Sequence, residues 1–247
     1  MTVISHRALF ITLLLGAVAA QSAEPRVVLF ERDPWLTVVG SDSPTFVVYS
    51  DRLAIFRAPN SSSSLSGYLS TQLSEAQYRA LLSSIAPEAL FELADSYTAS
   101  FSTDQPSNEL YVWVNGRRKS VTVYGALRRD PEVRSRVPGQ FLRAFDTLTK
   151  FSVRAAPWVP DVIEVFIWPY EYSPEEPLPW PKGWPPFENA RPKGSQGLHQ
   201  IFLPAEHFGS LLQVISSLKP KQAVQLAHRK WAISYRVPMP EENAWAR

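Results

Sequence analysis

The chain has 247 residues, 45% of them hydrophobic and 19% charged, with a formal net charge of +2; this is a globular composition with enough apolar residues for a sizeable core. Near-neutrality leaves no electrostatic case for binding nucleic acid. The absence of cysteine excludes a disulfide scaffold, thiolate metal sites, a cysteine nucleophile and lipidation at a lipobox cysteine.

The first element in chain order is a leader. His6 and Arg7 precede an apolar run over residues 8–20 that ends in small residues, and Ala17-Val18-Ala19 fits the A-x-A cleavage pattern. The run is too short to span a bilayer comfortably. Residues 1–23 therefore read as a signal peptide cut after Ala19, Ala20 or Ala23. The mature chain is expected to be periplasmic or secreted, without a membrane span. Cleavage removes Arg7 and no acid, so the net charge falls from +2 to +1.

Residues 26–31, 35–40, 45–50 and 53–57 read as short strands, broken by Asp33-Pro34 and Ser43-Pro44, with Tyr49-Ser50-Asp51-Arg52 as a turn. Residues 59–66 form a serine-rich loop. Its Asn60-Ser61-Ser62 is a glycosylation sequon, meaningful only in a eukaryotic secretory pathway. Residues 67–72 are another strand. A helix follows, capped by Ser74 with Gln77 completing a capping box and Leu73 and Tyr78 at staple positions. Its apolar face is Tyr78, Leu81, Leu82 and Ile85. Pro87 stops it and opens a short helix through Leu93.

Residues 109–124 read ELYVWVNGRRKSVTVY. Asn115-Gly116 between two alternating runs is the strongest short-range hairpin signal, because a type I′ turn needs positive φ at both central residues. A two-residue loop pairs Val114 with Arg117 and Trp113 with Arg118. Leu110, Val112, Val114, Val121 and Val123 then form the core face. Tyr111, Trp113, Arg118, Ser120, Thr122 and Tyr124 form the other, either the floor under a second layer or a binding surface. Beyond the hairpin, Asp130-Pro131 caps a helix, and residues 139–151 form a second long one carrying Phe141, Phe145, Leu148 and Phe151.

Residues 157–192 hold 10 of the 22 prolines and 4 of the 8 tryptophans. Residues 162–168 read as a strand. From Pro169 onward, proline density forbids helix and interior strand, so residues 169–187 are expected as an extended arm held by Trp180, Trp184 and Phe187. The Tyr111, Trp113 and Tyr124 face is its candidate partner. Residues 198–203 form a strand and 205–218 a helix with Phe208, Leu211, Leu212 and Ile215 on its apolar face. That face matches Tyr78, Leu81, Leu82 and Ile85 at a constant offset of 130. A hairpin of 222–226 with 231–237 turns through residues 227–230. The fold read from these elements is α+β: a mainly antiparallel sheet, two strand–helix–hairpin units forming a possible internal repeat, and a Trp/Pro-rich extended arm. The divisions are a signal peptide (1–23), an N-terminal α+β unit (24–156), a Trp/Pro-rich connection (157–197) and a second unit (198–247). The alternative is one compact domain over 24–247.

Chemistry is harder to find. His199, His207 and His228 have no metal-pair spacing, and His207 with adjacent Glu206 diverges by about 100° on a helix. Ser216-Ser217-Leu218-Lys219 matches S-x-x-K, but it closes a helix and no K-T-G accompanies it. No G-x-S-x-G, G-x-G-x-x-G, EF-hand or H-E-x-x-H motif occurs. Glu171, Glu175 and Glu176 read as solvated loop carboxylates rather than a cation site. No catalytic residue, metal ligand or cofactor is read from the chain. The candidate binding residues are Tyr111, Trp113, Arg118, Tyr124, Trp168, Trp180 and Trp184.

The run 45–124 resembles small secreted bacterial domains of unknown function, in which a strand pair precedes a helix, a tyrosine and an N-G-x-x-K-x-V hairpin. The residues that carry the resemblance are Leu73-Ser74-Glu75, Tyr97, and Asn115-Gly116 with Lys119 and Val121. It implies no activity. The expected function is an exported, non-enzymatic binding or accessory module of the cell envelope that meets an envelope protein, a peptide or a glycan through aromatic surface. The alternative is a carboxylate-dependent hydrolase of glycans, using acids among Asp161, Glu164 and Glu171 beside Trp168 and Tyr170.

Overall fold

The structure, a computed structural model, describes residues 23–36, 42–58, 67–194 and 197–242. The expected leader up to residue 22, most of the 35–40 strand and the whole of the serine-rich loop lie outside the described residues.

The first sheet contains β1 (Pro25–Arg32), β2 (Phe46–Tyr49), β3 (Leu53–Arg57), β4 (Tyr68–Gln72), β5 (Ser96–Thr98), β6 (Ser107–Val114), β7 (Arg117–Tyr124) and β8 (Ala156–Trp158). Their order is β5-β7-β6-β1-β2-β3-β4-β8, antiparallel except for the β5–β7 pair. Its centre is buried on both faces. Val27 and Leu29 with Phe46 and Val48 face one core, while Val28 and Phe30 with Val47 and Tyr49 face another. Successive side chains point to opposite faces, so strands covered on both sides read as nearly continuous apolar runs.

Helices α1 (Glu75–Ile85), α2 (Pro131–Ser135) and α3 (Gly139–Thr149) pack on one face. The α1 cap is the expected box: Ser74 Oγ accepts from the Gln77 amide, and Gln77 Oε1 accepts from the Ser74 amide. Leu81 and Ile85 are buried against the sheet, with Tyr78 and Leu82 partly covered beside them. Asp130 caps α2 by accepting from the amides of Glu132 and Val133. Phe151 lies past the end of α3 and still packs edge-on against Phe46 and Phe56, with centroids 5.0 and 4.9 Å away.

The β6–β7 hairpin has the expected register, Val114 opposite Arg117 and Trp113 opposite Arg118. Asn115 (φ 49°) and Gly116 (φ 74°) both take the left-handed conformation that the turn demands.

The second sheet is built from β9 (Val162–Pro169), β10 (Leu178–Pro179), β11 (Arg191–Pro192), β12 (His199–Pro204), β13 (Val224–Leu226) and β14 (Arg229–Arg236), in the order β10-β13-β14-β9-β12-β11. The fold is thus α+β, with two mostly antiparallel sheets. One face of the second carries Ile163, Val165, Ile167, Ile201, Trp231 and Ile233, covered by α4 (Phe208–Ser217) through buried Leu211. Leu212, expected on that apolar face, is only half-buried and lies outside this core. The face is rotated toward Phe208, Leu211, Ile215 and Leu218.

The arm closes the same core. Trp184 is buried and its indole N–H donates to Ser210 Oγ at 3.1 Å. Trp180 stands edge-on to it at 5.0 Å, and Phe187 packs on Trp231 at 5.1 Å. The arm therefore docks on its own protein, but on the second sheet and not on the Tyr111, Trp113 and Tyr124 face. Its Leu178 and Pro179 run parallel to β13 as an edge strand, where a missing N–H is tolerated.

Both strand–helix–hairpin orders are present, but they enter their sheets differently. In the first hairpin the leading strand β6 is the inner one; in the second it is the trailing strand β14. The offset of 130 aligns two helices and not two topologies. The second turn is also tighter than expected: Leu226 pairs with Arg229, leaving only Ala227 and His228 in the loop.

After β14 the chain returns to the first sheet. Val237 N–H donates to Ser43 Oγ at 2.7 Å, and the Tyr49 hydroxyl donates to the Pro240 carbonyl at 2.9 Å. Val237 and Met239 are buried against Val28, Phe30 and Val47. This segment covers part of the sheet face that carries no helix.

Candidate functional site

Where the two sheets meet, they enclose a cleft of about 340 Å³. The first sheet contributes Arg57 and Tyr68, and the second contributes Ile233 and Tyr235. Trp35, which is 74% exposed, stands at its rim.

Arg57 ends β3 and Tyr68 opens β4, and the register sets them opposite each other. Arg57 Nε donates to the Tyr68 hydroxyl at 3.1 Å, and the guanidinium carbon is 5.4 Å from that ring's centre. The Tyr68 hydroxyl in turn donates to the Pro44 carbonyl at 2.6 Å. Burial pushes the Tyr68 phenol up, with Arg57 opposing. Burial pushes Tyr235 up to about 12, again with Arg57 opposing. Both phenols are therefore neutral near pH 7.

Three acids share the lining, and each has its own partners. Glu31 accepts from Arg128 Nη2 at 2.7 Å and from Thr45 Oγ1 at 2.9 Å. Asp42 accepts from the Asp33 amide at 3.0 Å and lies 3.7 Å from Arg32; burial raises its carboxyl, against the pull of Asp33 N–H and Arg32. Asp33 accepts from the Trp35 amide at 2.9 Å. The arrangement can hold a polar ligand between a guanidinium and neutral phenols, over an aliphatic floor.

The structure brings three of the sequence-predicted residues together elsewhere. Tyr111 and Trp113 are half-buried at the margin of the helix-free face, 6.3 Å apart, with the Arg118 guanidinium 5.0 and 5.7 Å from their rings. The Tyr111 hydroxyl donates to Glu109 Oε2 at 2.8 Å. Trp180 and Trp184 belong to the second core. Tyr124 is a loop tie: its hydroxyl accepts from the Gln105 amide and donates to the Ser102 carbonyl. Trp168 lines a separate groove with Tyr170 and Leu218.

The carboxylates of the hydrolase reading are not gathered. Glu164 is buried and accepts from Lys193 Nζ at 2.7 Å and Arg236 Nη1 at 3.2 Å. Glu171 sits on the surface, held below its ordinary value by Arg229 at 2.7 Å. Glu164 lies inside β9, whereas Glu171 lies past its end in the turn after Pro169, and each is paired with different cations. His199 packs against both Phe187 and Trp231, with ring centroids 5.3 and 5.6 Å away, and its Nδ1 lies 2.8 Å from the Gly197 carbonyl. His207 Nε2 is 3.7 Å from Glu206. Among the described residues no group of three acidic or histidine side chains is placed to hold a metal.

Comparison of the chain with family models, curated proteins and solved structures finds no match. No function reaches it by similarity, and the site must be argued from its own residues. Arg57, Tyr68 and Tyr235 were missed by sequence reasoning. The one available signal was an arginine and a tyrosine at the facing ends of two consecutive strands; nothing in the sequence pointed to Tyr235.

Proposed function

We propose that this chain is an exported binding or accessory module of the cell envelope, and that the cleft between its sheets takes the ligand. The observation that carries this reading is the lining: Trp35, Tyr68, Tyr235 and Arg57 converge on about 340 Å³ with a wall from each sheet. Ligand sites are characteristically concave spaces of about 300–1,000 Å³ with few, convergent polar groups. A short peptide or a small glycan fits that size, and aromatic rings with a polar tip suit either. The Ser43 hydroxyl is occupied by Val237 N–H and no histidine lines the cleft among the described residues. No nucleophile–base pair motivates turnover there.

Titration calorimetry of the purified protein with short peptides and small oligosaccharides tests the reading. A binder is expected, with affinity reduced about tenfold by Tyr235→Ala, the equivalent of one lost aromatic contact. Absence of any binder, or binding indifferent to that substitution, would remove the cleft as the site. Export is tested separately. Cell fractionation with mass spectrometry should find an N-terminus between Ala20 and Glu24 outside the cytoplasm, and Met1 on membrane-bound protein would refute it.

A further inference from the structure

The geometry points to a carboxylate as the group that Arg57 binds, so that the ligand of this cleft is a small carboxylic acid or the carboxyl end of a short peptide. This rests on the reading of the cleft as a binding site. Every Asp and Glu in the chain lies within the described residues, and none of them is ion-paired with Arg57. Arg57 is half-buried, and although Glu31 and Asp42 act on its charge from within the same lining, neither touches its guanidinium, so no Asp or Glu carboxylate of the chain sits on that fork. Both acids make their ion pairs with other arginines, Glu31 with Arg128 and Asp42 with Arg32. The only side-chain hydrogen-bond partner of Arg57 among the described residues is the neutral Tyr68 hydroxyl, through Nε.

The guanidinium is also held in place. The Arg57 amide donates to the Thr45 carbonyl at 3.0 Å, and the Nε–Tyr68–Pro44 relay orients the side chain. A planar fork kept rigid in this way loses little freedom on binding and matches the two oxygens of a carboxylate. Ile215 and Ile233 supply an apolar floor for a short side chain beside it.

The test compares N-acetyl-dialanine with its C-terminal amide, and with acetate, by calorimetry and by amide shift mapping on the whole protein. The acid is expected to bind with shifts centred on β3, β4 and β14. The amide is expected to bind about ten- to a hundredfold more weakly, the range for a hydrogen-bonded charge. Arg57→Gln should remove the same preference, and Arg57→Lys should restore part of it. Acetate binding as tightly as the dipeptide would identify a free small acid; a clear advantage for the dipeptide would identify a chain end. An amide that binds in the cleft as well as the acid would overturn the carboxylate assignment and leave the cleft reading standing. Failure of all three probes to bind would overturn the assignment. If Arg57→Gln does not fold, the acid–amide comparison on the native protein decides alone.

Discussion

The two long hairpins share one turn geometry and reach it with different residues. In the first, Asn115 and Gly116 sit at φ 49° and 74°; in the second, Ala227 and His228 sit at φ 50° and 61°. Glycine takes the left-handed region readily and asparagine and histidine more often than most residues, whereas alanine pays about 1 kcal/mol or more for it. The first turn is therefore written in local preference. The second is imposed from outside the loop. Trp231 is fully buried and its indole N–H donates to the Leu226 carbonyl at 3.0 Å, tying one strand to the other. Arg229 stacks over Trp231 at 5.1 Å and pairs with Glu171, and the arm's edge strand lies along β13. Tertiary contacts hold a turn whose first residue, Ala227, disfavours the conformation.

Removing the external support should break this comparison most severely. Trp231→Ala is expected to cost about 4–5 kcal/mol, the upper range for deleting a large buried ring, and to free the second hairpin. Chemical denaturation would measure it; a loss below about 2 kcal/mol would mean the turn does not depend on that ring. Trp184→Ala should cost about 3 kcal/mol, since the arm completes the same core. Limited proteolysis should spare Lys182 in the parent protein and cut there in the variant. Rapid cleavage of the parent would show that the arm is not held.

The helices over the two sheets allow a finer contrast. Leu81→Ala and Leu211→Ala should each cost about 2–3 kcal/mol, because both side chains are buried. Leu212→Ala should cost less than about 1 kcal/mol, as expected for a half-buried position. Equal losses at 211 and 212 would contradict the observed helix rotation. The smallest effect belongs to the turns themselves. Replacing Ala227-His228 by Asn-Gly should stabilise the protein by about 1 kcal/mol, while Ala-His in place of Asn115-Gly116 should destabilise it by about 1–2 kcal/mol. Thermal denaturation of both swaps checks the sign, and a stabilising second swap would defeat the argument.

How much of the site could be read in advance differs from how much of the fold could. Tyr111, Trp113 and Arg118 were placed on one face by register alone, since a two-residue turn leaves no freedom in which residues oppose one another. Trp180 and Trp184 were correctly expected to anchor the arm, because aromatics beside prolines need a surface and extended chain is cheap to order. Their surface was misassigned. A tryptophan's need for burial does not name its partner, and the second sheet offered an apolar face as readily as the first.

What the amino-acid order determined by itself is short in range: the Ser74–Gln77 box, the Asp130-Pro131 start and the Asn115-Gly116 register all rest on groups within about one turn of chain. What only the tertiary structure decided is long in range. The left-handed turn at Ala227-His228 exists because Trp231 is buried, and Arg57 faces Tyr235 across 178 positions because the segment after β14 returns to Ser43 and covers Tyr49. Local preferences are typically worth about 1 kcal/mol per residue. Burial of a large side chain is worth several times that, so where the two conflict, packing sets the conformation and brings the cleft residues together.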